Sequence, residues 1–140
     1  MQKQQRQTRI NGEVTRAKIL DAAEELFGAR GFDAVSLREI TERAEVTLAL
    51  ASYHFGTKDQ LFEDVVARRA AILGEERLAR LAALDHPDVE SILDAFMAPM
   101  FDRATSGEAG WADYFRVLSR LGDGNRWLDI LTRHLDRKST

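Results

Sequence analysis

The sequence predicts an all-α chain, on three observations. Apolar residues recur at i, i+3, i+4 and i+7 along almost its whole length, no stretch alternates with period two, and helix start and stop residues punctuate the pattern. With 140 residues, 44% hydrophobic and 31% charged, and with two prolines and nine glycines, the chain suits one globular domain or two small units sharing a core. The lack of cysteine removes disulfides, thiolate catalysis and Cys-ligated metal sites. No apolar run approaches the ~20 residues of a membrane helix, and residues 1–16 hold no apolar leader segment. A cytoplasmic protein is the expectation.

The first helix is expected over 16–30. Thr15 is its N-cap candidate, and Ile19, Ala22, Ala23, Leu26 and Phe27 share one face. Arg30 complements the C-terminus, Gly31 offers a left-handed stop, and Phe32 folds back as the hydrophobic contact of that stop. Ser36 with Glu39 reads as a reciprocal capping box for a short helix over 37–44 that buries Leu37, Ile40 and Ala44. Thr47 caps a third helix over 48–54, and Thr57 with Gln60 forms a second capping box. Ile40, Val46, Phe55 and Leu61 are assigned to the core.

One long helix is expected over 59–84, with Leu61, Val65, Ile72, Leu78 and Leu81 among its apolar positions. Pro87 suits the first turn of a helix over 88–104. Pro99, inside it, removes a backbone hydrogen bond and frees a carbonyl beside Phe96, Met100 and Phe101, with a kink. Trp111, Tyr114, Phe115, Leu118 and Leu121 then repeat at helical spacing. A last helix from about Asn125 carries Trp127, Leu128, Ile130, Leu131 and Leu135.

The net charge of −3 conceals an uneven distribution. Residues 1–20 hold Lys3, Arg6, Arg9, Arg16 and Lys18 against Glu13, a balance of +4, whereas residues 60–140 carry 11 basic and 14 acidic side chains. This fits a tail that meets phosphates and a body that does not. A solvated tail without a partner fits it as well.

Two short helices joined by a tight turn, behind a longer first helix, make the helix-turn-helix pattern, whose second helix enters the major groove of DNA. Helical bundles contain such pairs too. The residues add a resemblance over 15–62, in the string TRAKILDAAEELFGARGFDAVSLREITERAEVTLALASYHFGTKDQLF. Its ILDAAEELF helix, RGF stop, SLREI helix and YHFGTK run resemble the TetR family of transcriptional regulators, over about a third of the chain. The resemblance implies a three-helix DNA-binding head linked to a helical ligand-binding and dimerisation body, in a homodimer on a palindromic operator. The corresponding division is a basic arm over 1–14, a head over 15–58 and a body over 59–140.

In the third helix, Thr47, Leu48, Ala49, Ser52 and Tyr53 occupy the N-terminal end and one face, where side chains reach base edges or phosphates. None is Arg, Asn or Gln, so bidentate reading of guanine or adenine is not expected; Leu48, Ala49 and the Thr47 methyl suit thymine methyl groups. The resemblance implies phosphate contacts for Tyr53 and His54, with Lys58 adding charge at the next helix start and Ser36 and Arg38 acting likewise at the second helix. Each has a plainer reading: His54 as a half-buried residue bonded within the head, Tyr53 packing by its ring, Ser36 and Thr47 as caps alone. Glu45 departs from the family pattern, which usually has glycine at this turn. A left-handed backbone there costs about 1–2 kcal/mol, so either the turn takes another shape or operator affinity is modest.

The body is expected to hold an effector pocket lined by Phe96, Met97, Met100, Phe101, Trp111, Phe115 and Leu118, for an apolar or amphipathic small molecule. The same stripe also reads as packed core without a cavity. Arg116 and Arg120 either bind a ligand carboxylate or face solvent. The resemblance implies that ligand binding moves the long fourth helix and resets the spacing of two recognition helices. It also implies two further helices for dimerisation; the chain is expected to lack them, or to dimerise through surfaces near Trp127 and Leu131.

No catalytic, metal or cofactor site is expected. His54, His86 and His134 are scattered, His86 and Glu90 make only an isolated i, i+4 pair, and no phosphate-binding loop or nucleophile motif occurs. The reading is a ligand-responsive DNA-binding regulator, a repressor released from its operator by a small effector. The competing reading is a helical small-molecule-binding protein or fragment without operator binding, which Glu45, the plain recognition helix and the short chain favour.

Overall fold

The computed structural model describes residues 1–122 and, beyond them, residues 128, 129, 132, 133 and 136. Among these the chain is all-α, as its periodicity requires: α1 (Gln2–Arg30), α2 (Leu37–Ala44), α3 (Leu48–Phe55), α4 (Lys58–Ala82), α5 (Val89–Thr105) and α6 (Trp111–Leu121). Of the expected last helix, Asn125, Trp127, Ile130, Leu131 and Leu135 lie outside the described residues, as does His134; Leu128 is described and exposed.

The first helix starts at Gln2, well before the expected 16. Thr15 is no N-cap: its hydroxyl donates to the Asn11 carbonyl one turn back, at 2.9 Å. Residues 2–14 contain no proline and are rich in Gln, Arg and Lys, which lose little on entering a helix, so nothing stops α1 from extending backwards. At its other end Gly31 ends the helix with a positive φ of 86° but an extended ψ of 158°. Phe32 folds back as expected, stacking on Phe27 at 5.6 Å and meeting Phe62 edge-on at 5.1 Å.

The capping boxes are redistributed. Ser36 Oγ accepts from the Glu39 amide at 3.1 Å, but the Glu39 carboxylate turns to Arg30 instead of the Ser36 backbone. Thr57 likewise caps the Gln60 amide, while the Gln60 side chain donates to Asp64. The reciprocal box forms at α5, where Asp88 Oδ1 accepts from the Ser91 amide at 2.7 Å and Ser91 Oγ accepts from the Asp88 amide at 3.0 Å. Pro87 thus precedes the N-cap and is not in the first turn.

The main core gathers Ile19, Ala23 and Phe27 of α1, Val35, Ile40 of α2, Ala51 and Phe55 of α3, and Leu61, Phe62 and Val65 of α4, with Val46 half-buried beside them. Burying each large apolar side chain contributes about 1.5–3 kcal/mol. Val117 and Leu121 of α6 join the same core, because α6 lies directly on α1. Gly28 permits that approach: a Cβ there would stand 2.8 Å from the Asp113 carbonyl oxygen. Arg120, though exposed, then donates to the Gly28 and Ala29 carbonyls, both at 2.9 Å, closing the C-terminus of α1. Arg116 is exposed and pairs with Asp113. A second cluster packs Leu73 of α4 with Trp111 and Tyr114 of α6.

Pro99 is buried and α5 continues through it. Near this defect the Phe96 carbonyl is occupied: Arg77 of α4 donates to it at 2.8 Å and lies 4.2 Å over the Phe96 ring. This contact docks α5 on α4.

Candidate nucleic-acid interface

The tight turn between α2 and α3 sets the geometry. Glu45 adopts φ 57° and ψ 43°, so the left-handed conformation that its side chain disfavours is present, and the turn does not take another shape. Two bonds hold it, the Glu45 amide to Glu42 O at 3.2 Å and the Val46 amide to Thr41 O at 3.0 Å, in the pattern of a Schellman stop. Thr47 then starts α3 with its Oγ1 accepting from the Leu50 amide at 3.3 Å.

From that start, α3 buries Ala51 and Phe55 and leaves the opposite side to solvent. Thr47, Leu48, Ala49, Ser52 and Tyr53 are all exposed, and at 100° per residue Ala49, Ser52 and Tyr53 share the face away from the core. Tyr53 is 83% exposed, so its ring is not a packing element. His54 is half-buried and touches the Tyr53 ring edge-on at 5.1 Å. Leu50, 39% exposed, also belongs to this surface and was missing from the sequence reading, because a leucine in a short helix reads as core.

Around the α2 N-terminus, Ser36 and Arg38 are exposed, and Arg38 makes no ion pair among the described residues. Acidic neighbours are partly neutralised. Arg30 donates to Glu39 and holds its carboxyl below the usual carboxylate range, and Arg43 pairs with Glu25 at 2.9 Å. Lys58 is placed differently from its expected role. Its ammonium turns inward, donating to the Phe32 and Val35 carbonyls at 2.8 Å each and lying 4.1 Å over the Phe32 ring.

The seven residues expected to line an effector pocket differ in exposure. Trp111 is buried, with Phe115 and Leu118 half-buried beside it, whereas Phe96, Met97 and Phe101 lie on the exposed side of α5 and Met100 is half-buried. A groove of about 360 Å³ forms elsewhere, between the end of α1 and α6, lined by Phe27, Arg30, Phe32, Phe62, Val117 and Arg120 among others. Among the described residues no three His, Asp or Glu side chains gather as a metal site, and no helix is long and apolar enough to cross a membrane.

Residues 19–65, which span α1 from Ile19 through the first turns of α4, match the family model described as bacterial regulatory proteins, tetR family. Those residues match the TetR family. The chain is 36% identical to the HTH-type transcriptional repressor BepR of Brucella suis biovar 1 (strain 1330) over 89 residues, 64% of the chain and 42% of BepR. It is 30% identical to the HTH-type transcriptional regulator BetI of Rhizobium meliloti (strain 1021) over 125 residues, 87% of the chain and 61% of BetI. Among solved structures, a gamma-butyrolactone receptor (ArpA-like protein) superposes with a TM-score of 0.62 at 26% identity, over 78% of this chain and 55% of that one. The chain thus spans about half the length of the relatives it matches. Its fold is the TetR arrangement of an N-terminal helix-turn-helix head and a helical body. TetR-family proteins are transcriptional regulators, not enzymes.

Proposed function

We propose that this TetR-family chain is a ligand-responsive DNA-binding regulator, a cytoplasmic repressor that binds a palindromic operator as a homodimer. The observation that carries the reading is the solvent face of α3, where Ala49, Ser52 and the 83% exposed Tyr53 stand opposite the Ala51 and Phe55 anchors. A short capped helix so held fits a major groove. Leu48, Ala49 and the Thr47 methyl group read thymine methyls. Tyr53, His54, Ser36 and Arg38 contact phosphates. In this division residues 1–14 are a basic arm, 15–58 the head and 59–140 the body.

The effector is a small apolar or amphipathic molecule bound by the body, where Phe96, Met97, Met100 and Phe101 of α5 and Trp111, Phe115 and Leu118 of α6 supply apolar surface. Similarity to a gamma-butyrolactone receptor supports an effector of that size. A carrier without operator binding is not favoured, since the relatives are described as transcriptional regulators and repressors.

Duplex DNA from the region upstream of the coding sequence, titrated over a salt series, tests the reading. Selective binding with a steep salt slope is expected. Tyr53→Ala should weaken it at least several-fold and leave the melting temperature unchanged. Binding equal to that of scrambled duplex at every salt concentration would refute the operator role.

A further inference from the structure

The first helix does not stop where the head stops. Arg16 stands at the edge of the packed region, its guanidinium 4.9 Å over the Phe55 ring in the last turn of α3 and 3.4 Å from Asp64 of α4. Beyond it α1 and α4 run side by side in the same direction, Asp21 meeting Arg68 at 2.8 Å and Glu24 meeting Arg69 at 2.8 Å. Toward the N-terminus, residues 2–14 therefore continue as helix past the end of the head where α3 finishes and α4 begins. At 1.5 Å per residue this spur is about 20 Å long.

Its surface is mainly positive. Residues 1–11 are all exposed, and Lys3, Arg6 and Arg9 are the only charged side chains before Glu13, which lies 3.6 Å from Arg9. Lys3 and Arg6 make no ion pair among the described residues, and this positive stretch stands on a chain whose net charge is −3. Its apolar content is Ile10 and Val14, 43% and 50% exposed, too narrow a stripe for a helix that lies in a membrane interface. A rigid row of cations beside the recognition helix complements a linear array of phosphates.

We infer that residues 2–14 form a second DNA contact, a basic helical spur that takes phosphates of the duplex flanking the half-site held by α3. The inference rests on the DNA-binding reading of α3. The spur reaches about six base pairs and carries no sequence information, because its cations meet backbone and not base edges.

The test uses the full chain to enrich a long random-sequence duplex pool, then compares it with the triple variant Lys3→Ala, Arg6→Ala, Arg9→Ala on the enriched duplex. Alanine preserves the helix, which circular dichroism verifies. The slope of log K against log salt should become shallower by about 2–3, at about 0.9 per phosphate released. On a duplex trimmed to the half-sites the two proteins should bind alike. Equal slopes on the long duplex would overturn the spur, as would loss of the trimmed duplex by the variant. Failure of the full chain to enrich any duplex would strike the α3 reading itself.

Discussion

Glu24 of α1, 1% exposed, meets Arg69 of α4 in a two-point ion pair, Arg69 Nε donating to Oε2 at 2.9 Å and Nη2 to Oε1 at 2.8 Å. Arg69 and Arg103 both lie over the Trp111 ring, at 4.9 and 5.0 Å, so the pair also ties α1 and α4 to the first turn of α6. Gly110 leaves the room: at its φ of +88° a Cβ would stand 2.0 Å from Arg69 Nη2. Removing one partner of such a pair strands a buried charge. Glu24→Ala is expected to reduce the unfolding free energy by about 3–5 kcal/mol. Gly110→Ala, which strains the turn and displaces Arg69, should cost about 2–4 kcal/mol. Both changes break one interaction, so urea unfolding of the double variant should show a loss smaller than the sum. Full additivity would mean that Gly110 acts independently of the pair.

The left-handed Glu45 leads to a gain. Its backbone bonds to Glu42 and Thr41 fix the turn whatever the side chain, so glycine relieves the strain without altering the shape. Glu45→Gly should stabilise the chain by about 1 kcal/mol, after the entropy that glycine adds to the unfolded state. The exposed carboxylate disappears with it, so duplex affinity should rise as well. A lower melting temperature for this variant would show that the glutamate side chain contributes a contact that outweighs the strain.

Lys58 separates a structural from a phosphate-binding role. With its ammonium bonded to Phe32 O and Val35 O, Lys58→Met leaves two carbonyls of the α1–α2 connection without their charged donor. The expected loss of stability is about 2–3 kcal/mol. The salt slope of DNA binding, measured where the variant is folded, should stay unchanged. A slope shallower by about 0.9 with intact stability would assign Lys58 to a phosphate instead.

Helix order and the exposed face of α3 were legible because each depends on neighbours close in sequence. Thr47 caps its own turn, and the Ala51 and Phe55 spacing selects the buried side of α3. What the sequence concealed depends on distant partners. Glu24 lies with Leu20 and Gly28 on a second stripe of α1 that only the packing of α4 and α6 buries, and its arginine comes 45 residues later. Lys58 looked free and Glu39 looked like the capping partner of Ser36 for the same reason: the carbonyls and the guanidinium that claim them belong to other segments. An effector pocket is beyond such reasoning, because helical spacing gives the apolar side of α5 and of α6 separately, but not whether the two sides face each other.

Tyr114 gives the fold a dependence on alkaline pH. Burial against Trp111 and Leu73 pushes its phenol above the ordinary tyrosine value, and the nearby Glu24 carboxylate adds to the effect, while Arg77 and Arg69 oppose it. The folded chain therefore keeps this proton after the unfolded chain has released it, near pH 10. The stabilisation is fully present below that pH and is lost as pH rises toward the folded-state value. Urea unfolding at neutral and at strongly alkaline pH should show stability falling through that window. Tyr114→Phe, which keeps the ring and removes the titrating group, should flatten the fall. An unchanged alkaline loss in Tyr114→Phe would place its origin in other groups.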